Sequence, residues 1–208
     1  MDADADRSAR TATDSVLGAW GLAPLTADEA RLPDQIETVA WRRGSQELPL
    51  VTNRSMLRLL DLPAVVALRV PGFLAPRYVG LVAMDVSRTV VSIDGVPVTV
   101  ETEVMDRYWS GSAHVLWRDF DGLGPMLALG ARGIAVVRLQ ELLRRAGAMD
   151  LKPSGVFDEA THAAVLDFQR AHQLETDGRV GPFTRIAPVR RRRGYERPTL
   201  SFRAEERS

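Results

Sequence analysis

The sequence predicts an α+β domain followed by a small three-helix domain, and three observations carry that reading. Up to Leu60 the apolar residues recur at helical spacing; after it they fall into short β-branched runs. Turn residues split those runs, and Asp94-Gly95 between the last two is a hairpin signal. Beyond the runs, a seven-residue unit occurs twice, as Gly155-Val-Phe-Asp-Glu-Ala-Thr161 and Gly178-Arg-Val-Gly-Pro-Phe-Thr184. Each copy reads as a turn feeding a helix, and two such units share one core.

Residues 1–13 are acidic and polar and are expected to be a disordered lead. Asp14 is a candidate N-cap for a helix carrying Val16, Leu17 and Trp20 and ended by Gly21. Thr26 and Glu29 have the spacing of a capping box for a second helix, with Ile36, Val39 and Ala40 as its stripe. Pro33 inside that helix is expected to break or kink it. Residues 52–60 read as a third short helix, with Met56, Leu57 and Leu60 inward.

Strands are expected at 64–70, 78–84, 89–93 and 96–100, then a helix at 101–109 and a last strand at 112–117. These elements make a first domain over residues 14–118, joined by a linker at 119–125. The second domain covers residues 126–188. Val136, Leu139, Gln140, Leu142 and Leu143 form one helical stripe, and Ala160, Ala164, Val165 and Phe168 another. Gly155 and Gly178 supply turn conformations closed to other residues. Asp158 suits an N-cap, and Gly181-Pro182 suits N-cap followed by N1. Residues 189–208 are a basic tail containing Arg190 to Arg193.

The chain has 208 residues, 45 % of them apolar, enough for packed cores in one or two domains. Residues 1–120 hold 16 acids and 12 arginines, a net −4 balanced by the remainder, so the formal net charge is zero. That balance argues against nucleic acid as a partner, and an arginine run without interleaved aromatics does not reverse it. There is no cysteine, which removes disulfides, thiolate catalysis and cysteine-ligated zinc together. His114, His162 and His172 have no metal-ligand spacing, and no cofactor is expected. No leader peptide and no apolar run of about 18 residues occurs, so an envelope location would require a longer anchored protein or another export route.

The pattern LGxxGxxVxxLQxxLxxxG followed by GxFDxxTxxAVxxFQxxxxLxxDGxVGxxT, read over residues 129–184, resembles the peptidoglycan-binding domain attached to many cell-wall enzymes. This resemblance implies wall binding, with Gln140, Asp158, Thr161, Gln169, Asp177 and Thr184 as candidate contacts. LPAVVALR, RYVGLV, the IDG at 93–95 and WSGSAHVLWR are similar to papain-like bacteriocin-processing peptidases. In that family the strand opening at Arg77 or Tyr78 would begin with the catalytic His, and Asp94 stands near the Asp that orients it. The nucleophilic Cys is absent, so the resemblance implies a degenerate, non-catalytic peptidase-like domain. Ser110 and Ser112 stand near His114 only in sequence, and no GxSxG elbow occurs.

The pairing of these two domains, with SVLGAWGL at 15–22 and the YERPTL tail, resembles the periplasmic C-terminal region of general secretion pathway protein A, the ExeA-like ATPase family of type II secretion. That resemblance implies a periplasmic module that binds peptidoglycan, works with the B-component of the secretion system and helps place the secretin. It also implies a homo-oligomer in the full-length protein. No Walker A motif occurs, so the family's ATPase part lies outside this sequence. Two other readings stand beside it: a wall-lytic hydrolase targeted by its binding domain, and a pure assembly domain whose wall-binding groove has decayed.

Overall fold

The computed structural model describes residues 3–31, 35–187 and 196–202. The chain folds into two compact units, Met1–Trp117 with Glu196–Ser208, and Arg118–Tyr195. The first is α+β: helices, then a six-stranded antiparallel sheet. Its elements are α1 (Ala3–Ala19), a 3₁₀ turn (Glu29–Arg31), α2 (Gln35–Arg42), β1 (Gln46–Val51), α3 (Arg54–Leu60) and β2 (Ala64–Leu68). They continue with β3 (Arg77–Met84), β4 (Arg88–Ile93), β5 (Val96–Glu101), α4 (Thr102–Tyr108) and β6 (Trp109–Trp117). The strand order is β1-β6-β2-β3-β4-β5, so β1 and β5 are the edges.

The first departure from expectation is at the N-terminus. Residues 3–13 are the first part of α1, and Asp14 lies inside that helix instead of capping it. The inward stripe is Ala12, Thr13, Val16 and Leu17, all buried. Its upstream members are alanines and hydroxyl residues, which do not read as apolar in the sequence. They let α1 lie close on the sheet. A Cβ at Gly80 of β3 would come within 2.9 Å of Ser15 Cβ and 3.1 Å of the Ala12 carbonyl oxygen. Gly80 is therefore a close-approach glycine. Ser15 and Ser92 Oγ atoms meet at 2.7 Å across the same interface. Asp14 instead accepts from the Leu25 N–H and ties down the loop after α1.

The capping box forms as expected. Thr26 N–H donates to Glu29 Oε2 at 2.9 Å and Glu29 N–H to Thr26 Oγ1 at 3.2 Å. It opens only a 3₁₀ turn, and α2 begins separately at Gln35. The kink expected at Pro33 lies outside the described residues. β1 is a strand the sequence reading passed over, because Pro49 sits in it. A proline is admissible there because β1 is an edge strand. α3 begins at Arg54 and not at residue 52, and Asn53 caps it, accepting from Met56 N–H at 3.0 Å. Asp94 and Gly95 both have positive φ, 50° and 83°, the conformation a two-residue hairpin turn requires.

The tail also departs from expectation. Residues 196–202 pack onto the first unit instead of forming a free basic extension. Asp61 closes α3 in the left-handed region with φ 54°. Its carboxylate accepts from Arg197 Nη2, Leu200 N–H, Ser201 N–H and Ser201 Oγ, at 2.9–3.1 Å. Leu200, only 1 % exposed, returns its carbonyl to Met84 N–H at 2.7 Å. Arg88 lies over the Phe202 ring, 4.9 Å from its centroid. The arginines 190–193 lie outside the described residues.

The second unit contains α5 (Ile134–Arg145), α6 (Glu159–Ala171) and α7 (Pro182–Ile186). Leu139, Leu143, Phe157, Val165, Phe168 and Val180 are the centre of its core. The segment expected to be a linker belongs to this unit. Leu123 is in the core, and Asp119 accepts from Gly124 N–H and pairs with Arg185 at 2.9 Å.

All four tryptophans precede residue 118, so tryptophan fluorescence reports the first unit alone. Leu200→Ala is expected to lower the stability of that unit by about 2–5 kcal/mol, measured by urea denaturation followed by fluorescence. An unchanged midpoint would mean that residues 196–202 do not hold the first unit.

Candidate functional site

In the second unit the repeated heptads form the same hydrogen-bonded device twice. α5 presents Gln140 and α6 presents Gln169, which are 0 % and 1 % exposed. Gln140 Oε1 accepts from Gly155 N–H, and Gln169 Oε1 from Gly178 N–H, both at 2.9 Å. Gln140 Nε2 donates to the Val156 carbonyl at 2.9 Å and lies 2.9 Å from Thr161 Oγ1. Gln169 Nε2 donates to the Arg179 carbonyl at 2.8 Å and lies 3.2 Å from Thr184 Oγ1. Each buried amide thus holds one turn against the helix before it, while the heptad's Thr joins from the helix after it.

The two clamps differ at their edges. In the first, Ser154 N–H adds a bond to Gln140 Oε1, and Asp158 caps α6 by accepting from Thr161 N–H at 2.9 Å. In the second, Asp177 takes the place of Ser154 and accepts from Gln169 Nε2 at 2.8 Å and from Arg179 N–H at 2.9 Å. Gly181 is the N-cap of α7, with Pro182 next. The two turns approach each other. A Cβ on Gly178 would fall onto the imidazole of His162, in the first turn of α6. His162 is therefore a seam residue between the clamps. The separation of 16 positions between His162 and Gly178 gives no sequence signal for this.

These placements correct the reading of the candidate contacts. Gln140, Thr161, Gln169 and Thr184 are buried and hydrogen-bonded within the unit, so their side chains hold the turns and do not face solvent. Asp158 and Asp177 are exposed. Thr161's backbone N–H, then its hydroxyl, holds the Asp158 carboxyl below the usual carboxylate range. For Asp177 burial is the largest single influence and pushes upward. Arg179's N–H, the Gln169 amide and the Arg179 charge together outweigh it and lower the value.

In the first unit, the residues of the peptidase resemblance converge on one face of α1. Tyr78 N–H donates to Ser8 Oγ at 3.1 Å, and Ser8 donates its own proton to the Ala5 carbonyl at 2.8 Å. Arg77 pairs with Asp4 and lies over the Phe73 ring. Asp94 stands 3.4 Å from Thr11 Oγ1. Thus the strand opening and the hairpin Asp meet the helix through hydroxyl groups, with no imidazole between them. Ser110 donates to the Ala67 carbonyl and His114 Nδ1 meets Glu47 Oε1 at 2.5 Å, so the Ser110–His114 neighbourhood in sequence is not a pair in space. Among the described residues, no group of His, Asp and Glu is arranged to hold a metal ion.

Residues 132–187 match the family described as "Putative peptidoglycan binding domain". Both clamps lie within this match. The fold is similar to that in the crystal structure of a periplasmic domain of the EpsAB fusion protein of the Vibrio vulnificus type II secretion system. That comparison has TM-score 0.55 and 22 % identity, over 91 % of this chain and 82 % of that one. The peptidase domain of Streptococcus ComA aligns with 57 % of this chain and 94 % of its own, at TM-score 0.42 and 16 % identity. A double glycine motif protease from an AMS/PCAT transporter, crystallised with its leader peptide, aligns over 57 % and 89 % of the two chains, at TM-score 0.43 and 13 % identity. No curated protein matches the chain.

Each clamp removed should leave buried turn amides unsatisfied. Gln140→Ala and Gln169→Ala are each expected to cost the second unit about 1–3 kcal/mol, read by far-UV circular dichroism, with the tryptophan transition unmoved. An unaltered dichroism transition would refute the clamp.

Because the folded pKa values of Asp158 and Asp177 are lowered, their contribution is fully present above the usual aspartate range. It is lost as pH falls through the lowered values. The second unit should therefore lose stability as pH falls below about 4, the ordinary aspartate value. Asp158→Asn, which keeps a capping oxygen but cannot titrate, should show a shallower loss in the same denaturation series. Identical acid profiles would show that Asp158 is not a source of it.

Proposed function

We propose that this chain is a non-catalytic, periplasmic, peptidoglycan-binding module of a type II secretion assembly protein. The observation that carries the reading is the family match over residues 132–187, with both turn clamps complete inside it. The shared fold with the EpsAB periplasmic domain supports the secretion context. In this reading the wall contact is made by exposed groups around the two turns, Asp158 and Asp177 with the seam residue His162. The buried Gln140, Gln169, Thr161 and Thr184 act by shaping that surface. A shallow polar surface on a small unit binds weakly, so firm attachment calls for several copies in a homo-oligomer. The B-component and the secretin are the partners that such a module would help position at the wall.

The absence of cysteine and the use of the Ser8 hydroxyl proton by the Ala5 carbonyl support a non-catalytic first unit. No described helix is long and apolar enough to cross a membrane.

The test is co-sedimentation with purified sacculi. The full chain is compared with a version in which residues 118–195 are replaced by a flexible linker, so that residues 196–202 stay with the first unit. The replacement is expected to weaken sacculus binding about tenfold or more. Equal sedimentation would overturn the assignment of wall binding to the second unit. Release of muropeptides above a heat-treated control would overturn the non-catalytic reading.

A further inference from the structure

The first unit carries a cleft that neither the clamps nor the peptidase resemblance accounts for. It lies between α2 and β1, has a volume of about 560 Å³, and is lined by Glu37, Thr38, Trp41, Ser45, Gln46 and Glu47. Trp41 is 77 % exposed, whereas Trp20 and Trp117 are buried. Trp41 thus presents a flat apolar indole to solvent as one of the cleft's lining residues. The other lining residues are polar. Glu47 has a side chain only 10 % exposed, and its Oε1 engages His114 while its Oε2 is unused among the described residues. Glu37 and Gln46 are exposed, and Thr38 is half-buried.

We propose that this cleft binds a sugar, and specifically the N-acetylated glycan strand of the wall. A pyranose ring has one face of C–H bonds and a rim of hydroxyl donors. The flat indole face takes the first. The carboxylates of Glu37 and Glu47 and the amide oxygen of Gln46 accept from the second, while the Thr38 hydroxyl and the Gln46 amide nitrogen donate to ring or acetamido oxygens. The volume suits a ligand of one or two sugar rings and falls within the range of small-molecule sites. The choice of a wall sugar over other sugars rests on the wall-binding reading; the cleft chemistry does not. The first unit would then contact the glycan while the second contacts the wall elsewhere, two weak attachments in one chain.

The experiment titrates the full chain with a tetramer of N-acetylglucosamine and follows tryptophan fluorescence, to which Trp41 is the most exposed contributor. A saturable change with a Kd on the order of millimolar or tighter is expected. It should vanish in Trp41→Ala and weaken about tenfold in Glu47→Gln, which keeps the indole and so serves as an independent variant. Both variants should retain the wild-type dichroism.

No change with the wild-type chain overturns the proposal, as does a change that survives Trp41→Ala. An equal response to a glucose tetramer overturns the wall-sugar assignment. Binding of an oligolysine peptide at Trp41 in place of the sugar would make the cleft a site for a basic protein segment and also overturn it. Failure of the second unit to bind sacculi leaves this readout unaffected, because the probe is a free oligosaccharide and the reporter lies in the first unit.

Discussion

Two buried primary amides govern the second unit. An amide taken out of water costs free energy unless its donors and acceptor are matched. Gln140 and Gln169 find those partners in the turn that follows each helix. The requirement acts in both directions. The turn must expose a peptide N–H and a carbonyl to the amide, which fixes its path and calls for Gly155 and Gly178 at φ 74° and 70°. The next helix must begin where its Thr can close the set. A helix, a turn and a helix start are thereby specified by one side chain, and the arrangement is repeated. The apolar core beneath supplies most of the burial, but it would accept several turn paths. The amides select one.

The first unit relies on closeness. α1 lies directly on β3 because Gly80 has no Cβ and because the helix turns small residues toward it. Asp61 then gathers residues 197–201 onto the end of α3, so that a segment distant in sequence completes the unit. Its left-handed backbone is one that Asp tolerates better than most side chains, and its short carboxylate reaches the neighbouring N–H groups. Both edge strands contain a proline, Pro49 in β1 and Pro97 in β5. Prolines there limit pairing with another chain's strand.

The polar groups around the opening of β3 are engaged in structure. Ser8, Thr11, Tyr78 and Asp94 join the helix to the sheet. The contacts there run from α1 hydroxyls to the Tyr78 N–H and the Asp94 carboxylate. Such bonds fix α1 on the sheet and do not move protons.

The sequence by itself determined the elements whose signals are local. The hairpin at Asp94-Gly95, the capping box at Thr26 and Glu29, the helix starts at Asp158 and Gly181-Pro182, and the core stripes of α5 and α6 all follow from spacing and side-chain type within about one turn. Tertiary structure decided what depends on partners far along the chain. α1 is helical over residues 3–13 because its small residues meet β3, some 70 residues later, and small residues leave no apolar stripe to read. β1 exists because β6 pairs with it despite Pro49. Gln140 and Gln169, polar in type, are buried because the following turns fold over them. His162 meets Gly178, and residues 196–202 join Asp61, through contacts that no periodicity encodes. A side chain's polarity is written in the sequence, but whether water or a distant backbone satisfies it is decided only when the chain has folded.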